Sequence, residues 1–401
     1  MSKNHLDINS FLDRWVFINL LVHLASLCFS TALMEITFVT SLVAWVGLKI
    51  RKGWRLPCEK KMFWILAVFV FLSCISFFWS EFPKQSFRGA LKVLKQFFLF
   101  WMVAESLQTR ERQKTAFQVL SYLFIFLALD GFWQYLFGVD LIRRFPFEPA
   151  SSGPRISASF HNYGLLAAFV IAFLPVLCSR LNKKESPSFL FRTSLGVVLG
   201  LLLLFWTRLR GAWIAFLGGV IFFFWNQGKK IYLLLLFLAA GGAFFLLPRS
   251  MVIHLDSQGK EQSLVERFYL WDRAVDVIEA RPWTGIGINT YAVGHQKYDH
   301  RKSWRVKNYY AHNGYLQIAA ETGLPCLVLF LTFLFLYFRN GLKAAKKMPG
   351  EERRVTIGIL SGLVNFLILG LIDTIFHNPQ SIMAFWFLAG WGIAHQKSVS
   401  G

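Results

Sequence analysis

The chain has 401 residues, 55% of them hydrophobic and only 16% charged, with 43 Phe, 15 Trp and a mean hydropathy of +0.46. A soluble domain carries about 25% charged residues, so this composition excludes a soluble globular protein and a disordered chain, and five Cys exclude a disulfide scaffold. The net charge of +21, from 43 Lys+Arg against 22 Asp+Glu, reads as membrane topology and an anionic lipid-phosphate partner, with no nucleic acid.

A spanning helix needs roughly 20 mostly apolar residues, and about twelve such stretches recur along the chain. They fall at 15–30, 31–48, 62–80, 89–107, 115–138, 160–179, 193–207, 211–226, 231–247, 324–339, 355–376 and 379–396. The prediction is an all-α, polytopic membrane protein, a single transmembrane domain over 1–401. Lys3, Asp7, Asp13 and Arg14 precede the first run, and no small-residue cleavage pattern ends it, so that run is expected to stay as the first span.

The loops set the orientation. Basic residues number six in 49–61, three in 108–114, four in 180–192, two in 226–230 and six in 339–354. All five loops fall on one side if both termini are cytoplasmic and the spans number about twelve, as the positive-inside rule requires. The opposite, trans side then carries short loops and one large one, 248–311, expected to form a lid against the membrane.

Basic residues near membrane depth on the trans side need a reason. Arg88, Lys92 and Lys95 are spaced by four and three, so they share one face of the fourth span. Snorkelling to head groups and a cationic track for a lipid phosphate both account for Arg88 and Lys92; Lys95 is harder to explain by snorkelling. His161 and Asn162 stand in SFHNYG before the sixth span. Arg208 and Arg210 stand in TRLRG, a very short turn between the seventh and eighth, where two guanidiniums make an anion clamp or an ordinary head-group contact.

Within the large loop, Leu264, Phe268, Trp271, Val275 and Ile278 recur at helical steps, predicting an amphipathic helix that carries Arg267. Pro282, Gly285 and Gly287 end it in a turn. The stretch 312–321 reads as a short helix at the trans surface, with His312 and Asn313 at its N-terminal end and Gly323 and Pro325 closing it. An imidazole there can act as a general base near neutral pH or serve as a cap; His377 in FHNPQ is a weaker candidate. Acids within apolar stretches are few: Glu35, Glu105, Asp130 and Asp373. No Asp-x-Asp pair, Walker loop, G-x-S-x-G or H-E-x-x-H is present, and the cysteines have no metal spacing.

Four segments in this order resemble the O-antigen ligase family of bacterial membrane glycosyltransferases. They are RISASFHNYGLLAAF, with Asn162; FWTRLRGAWIAF, with Arg210 and Gly211; ERFYLWDRAVDVIEARPWTGIGINTY, with Arg267, Trp271, Pro282, Gly285 and Gly287; and AHNGYLQIAAETGLP, with His312, Asn313, Leu316, Glu321 and Gly323. Leu209 stands where the family commonly has Ser, and Cys326 where a Gly is frequent. The resemblance implies a GT-C-type enzyme of the bacterial inner membrane, with its site and the 248–311 loop on the periplasmic face.

It implies an undecaprenyl-diphosphate-linked glycan as donor and lipid A–core as acceptor, with no metal and no cofactor. On that reading Arg210 and Arg267 neutralise the departing diphosphate and His312 is the base. Arg208, Asn162 and Asn313 then bind substrate, and the spacing of Arg88 and Lys92, apart from the resemblance, adds these two as holders of the diphosphate at the membrane surface. An O-antigen polymerase or a protein O-oligosaccharyltransferase on the same donor is the alternative, and a lipid-linked sugar transporter is the non-enzyme one.

Overall fold

A computed structural model describes residues 8–149, 153–181, 185–229, 231–232, 262–298 and 309–400. Among these the chain is helical throughout, without a β-strand; two isolated antiparallel bridges, Val139 to Pro146 and Glu148 to Arg155, are its extended pairings. The helices are α1 (Ile8–Phe29), α2 (Thr31–Lys52), α3 (Lys60–Ile75), α4 (Pro83–Ser106), α5 (Arg110–Phe137), α6 (Tyr163–Ser179), α7 (Pro187–Thr207) and α8 (Arg210–Asn226). After residues outside the described set come α9 (Gln262–Ala280), α10 (Tyr291–Gly294), α11 (Gly314–Thr322), α12 (Leu324–Lys347), α13 (Gly350–Leu369) and α14 (Pro379–Ser400). Eleven of the stretches read as spans are therefore helical, and residues 233–247 of the remaining one lie outside the described residues. So do 248–261 and 299–308 of the large loop.

Among the described residues, six helical segments are long and apolar enough to cross a membrane: α1, α2, α3 with its 3-10 extension to Trp79, α5, α7 and α12; α6 and α8 are apolar but shorter. The helix ends follow local chemistry. Ser30 and Thr109 accept backbone N–H groups at the starts of α2 and α5, and Gly138 closes α5 in the left-handed conformation.

Burial sorts the helices into two layers. Almost every side chain of α6 is buried, as are most of α13 and α14. Around them, α2, α8 and α12 leave large apolar side chains uncovered, among them Val43 at 68%, Ile214 at 62% and Phe335 at 65% exposure. An apolar outer surface on an apolar bundle is what lipid would cover.

A close backbone seam joins α6 and α13. A Cβ on Gly362 would lie 1.9 Å from the Ala172 carbonyl oxygen, so only glycine lets the two backbones meet there. Pro175 sits inside α6 and has no N–H for the carbonyl of Ile171. Asn365 of α13 supplies the missing donor: its Nδ2 donates to Ile171 O at 2.7 Å. Asn365→Leu is therefore expected to lower stability by about 1–3 kcal/mol, the cost of an orphaned buried carbonyl. Thermal unfolding in detergent checks this, and Pro175→Ala in the same background should recover part of the loss by restoring the helix's own N–H.

Candidate functional site

The turn after α9 and the short helix α11 dock on one another. Ile286 N donates to Ala320 O at 3.0 Å, Gly287 N to Glu321 O at 2.9 Å, and Leu324 N to Pro282 O at 2.8 Å. Gly285 has a φ of 63°, and a Cβ on it would lie 2.3 Å from the Glu321 backbone. That position needs glycine for its φ and for the close approach. The G-x-G turn and the H-N-x-x-L segment are thus one packed unit.

This unit is wedged against α4. Ile288 N donates to Ser76 Oγ at 3.0 Å, Asn289 Nδ2 donates to Gln85 O at 3.0 Å, and Lys92 Nζ donates to Asn289 Oδ1 at 2.9 Å. Glu321 is the buried centre of the joint. It accepts the backbone N–H of Asn289 at 2.8 Å and of Tyr291 at 3.1 Å, and the side-chain amide of Gln317 at 3.2 Å. Burial pushes its carboxyl up, against the pull of those hydrogen bonds and of Lys92.

On its other side α11 meets the connection between α13 and α14. Gly314 N donates to Gly370 O at 2.8 Å and Tyr315 Oη to Leu367 O at 2.9 Å. The result puts His312 Nδ1 3.5 Å from Asp373 Oδ1, with the His312 side chain 35% and the Asp373 side chain 26% exposed. His312 itself has a φ of 47°, and its carbonyl accepts the indole N–H of Trp271 from α9 at 3.3 Å. A left-handed, non-glycine residue costs energy and survives because its neighbours hold it there. Arg267 is one turn from Trp271 on α9. The charges of both Arg267 and Asp373 act on Tyr163, whose hydroxyl also accepts from Arg155 Nη1 at 3.0 Å.

A cavity of about 430 Å³ opens among these elements, lined by Lys92, His161, Asn162, Tyr310, Asp373 and His377. A smaller one of about 90 Å³ lies beside it and shares Lys92 and His377. Burial, and next to it the nearby Arg143, hold His161 below its ordinary value.

The sequence-predicted residues divide as follows. Lys92, Asn162 and, through Asp373, His312 meet at the large cavity. Asn162 and Asn313 are the N-caps of α6 and α11, each Oδ1 accepting two backbone N–H groups, which leaves their amide nitrogens for a ligand. Arg210 begins α8; its neighbour Gly211 packs on Ile372, beside Asp373. Arg208 caps α7 with a φ of 51° and lays its guanidinium on Gly153. Its Nη1 is buried, with no acceptor among the described residues, as an anion site would leave it.

The three basic side chains of the α4 stripe have different neighbours. Arg88 is exposed, Lys92 turns to Asn289, and Lys95 pairs with Glu35 at 2.5 Å. That ion pair gives Lys95 the structural reason that snorkelling lacked. Asp130 accepts the Leu141 N–H and the Ser159 hydroxyl, a structural anchor. Sequence reasoning named Asp373 only as one of the few acids in apolar stretches and did not name Tyr310, Gln317 or Asn289 as site residues; the D-x-x-x-H spacing of Asp373 and His377 was the available signal. Among the described residues no three His, Cys, Asp or Glu side chains gather as a metal site.

Comparison with known proteins agrees with the sequence resemblance. The chain is similar to the exopolysaccharide production protein ExoQ of Rhizobium meliloti (strain 1021), 20% identical over 354 residues that cover 82% of this chain and 76% of the relative. The family model described as O-antigen ligase matches residues 195–331, from α7 through α9 and α11 into α12. That region holds Arg208, Arg210, Arg267, His312 and Asn313, and it is similar to the O-antigen ligase family over those residues.

Proposed function

We propose that this protein is a glycosyltransferase of the bacterial inner membrane that moves an O-antigen glycan from undecaprenyl diphosphate to lipid A–core. Both termini lie in the cytoplasm and the site faces the periplasm. The observation that carries this reading is the His312–Asp373 pair beside a cavity that Lys92, His161, Asn162 and His377 line. A carboxylate at Nδ1 holds the imidazole with Nε2 as its free base. The 3.5 Å separation is looser than a made hydrogen bond, as catalytic contacts often are before substrate arrives.

His312 Nε2 accepts the proton of the acceptor hydroxyl as that oxygen attacks the anomeric carbon. The bond from that carbon to the diphosphate oxygen breaks in line, its electron pair leaving on the diphosphate, and the anomeric configuration inverts. The proton then passes from His312 to solvent. Arg210 and Arg267 stabilise the charge growing on the leaving group. Arg208, Lys92 and Arg88 hold the diphosphate, and the amides of Asn162 and Asn313 contact substrate.

The similarity to a protein named for exopolysaccharide production favours a second reading, in which a growing glycan replaces lipid A–core as acceptor. Purified protein with undecaprenyl-diphosphate-linked glycan, lipid A–core and EDTA separates the two. Glycosylated lipid A–core supports the ligase, and lengthened donor glycan supports the polymerase. Neither product from folded protein overturns both and favours a transporter or a protein acceptor. EDTA is expected to leave the rate unchanged, because Arg and Lys supply the countercharge; strong inhibition would sink that mechanism.

A further inference from the structure

One half-buried titratable group plays no part in that scheme. His377 lies in the connection between α13 and α14 and lines both cavities beside Lys92. Its Nδ1 is 3.2 Å from Gln317 Nε2, and that same nitrogen donates to Glu321 Oε1 at 3.2 Å. Glu321 Oε1 already accepts the N–H of Tyr291, and Oε2 that of Asn289. The Gln317 atom facing this oxygen must therefore be the amide nitrogen, not its oxygen. An amide nitrogen only donates, so His377 Nδ1 is the acceptor and the single ring proton sits on Nε2.

Burial, with Lys92 next, pushes His377 down to about 3, so the ring is neutral at any working pH. Tyr310 packs on it with ring centroids 4.3 Å apart. Among the described residues nothing accepts from Nε2–H. A fixed neutral donor and an ammonium on one cavity wall call for a ligand atom with several lone pairs.

We propose that His377 is a substrate-binding residue, its Nε2–H donating to a non-bridging phosphate oxygen of the polyprenyl diphosphate donor next to Lys92, in a tautomer imposed by Gln317 and Glu321. The proposal rests on the donor reading above. Asparagine at 377 keeps a polar atom near Nδ1 but none at Nε2, whereas glutamine reaches the Nε2 position.

The test uses the full chain in detergent and undecaprenyl diphosphate as probe, with Kd measured at pH 6 and pH 8 for wild type, His377→Asn and His377→Gln. Loss of a hydrogen bond to a charged group predicts about 10-fold or more weaker binding for His377→Asn. His377→Gln should stay within about 3-fold of wild type, since a substituted donor at the same place preserves that bond. In transfer assays the Asn variant should raise KM for the donor and leave kcat nearly unchanged. Lys92, His161, Tyr310 and Asp373 line the same cavity and Glu321 lies behind Gln317; all are present in wild type and variants, so the ratio of the Kd values reports on His377. That ratio should be equal at the two pH values; a ratio growing toward pH 6 would mean an imidazolium binds and would overturn the tautomer assignment.

Equal binding by all three proteins overturns the inference and leaves the donor reading standing. No binding by wild type removes both. Should His377→Asn fail to fold, ¹⁵N-histidine NMR of wild type, assigned by the signal missing in His377→Gln, decides the matter. A neutral Nε2–H signal that moves when undecaprenyl diphosphate is added supports the proposal, and one that stays put overturns it.

Discussion

Replacing His312 with alanine is expected to lower glycan transfer by about 10²–10⁴-fold, the range a positioned general base supplies, while the protein stays folded and inserted. The side chain is about a third exposed and its carbonyl, not its ring, receives the Trp271 indole, so the helix junction does not depend on the imidazole. Asp373→Asn is expected to approach the same loss, because an amide at Nδ1 can favour the wrong tautomer. Donor binding should be nearly unchanged in both variants, giving a fall in kcat at constant KM. Transfer at the normal rate by His312→Ala would remove the base from the mechanism.

Arg210→Lys and Arg267→Lys are each expected to reduce transfer by about 10²–10³-fold, the cost of losing one preorganised donor to a developing anion. Both keep a positive charge, so a large loss separates fork geometry from charge alone. The two positions differ in their support: Arg210 opens α8 at the Gly211–Ile372 contact, whereas Arg267 lies on α9 one turn from Trp271. Single-turnover transfer at saturating donor checks them, and near-normal rates with lysine would reduce either arginine to a general electrostatic role.

Much of this arrangement was legible in the chain before any coordinates. Apolar length marked the helices, the four-and-three recurrence from Leu264 to Ile278 marked α9, and the glycines at 285, 287 and 323 marked the turns around α11. What could not be read was pairing across distance. Asp373 is 61 positions from His312 and meets it because α11 docks on the end of α13. In the sequence it is one acid in an apolar stretch. Lys95 and Glu35 are separated by 60 positions, and the spacing of Arg88, Lys92 and Lys95 gave a shared face without giving their different neighbours. The same holds for Asn365, whose role exists only because Pro175 leaves a carbonyl unserved on the helix opposite.

The docking of the G-x-G turn on α11 has a mechanical consequence. Arg267 leads through Trp271 to the His312 carbonyl, and α9 leads through Gly285 and Gly287 to the far end of the same short helix. His312 and the helix that carries Arg267 are thereby tied at two points to a single lever. Tilting α9 to admit a bulky acceptor would carry the imidazole along with the guanidinium, keeping their spacing constant. On the proposed reading, such a linkage keeps His312 and Arg267 in register while the room around them changes.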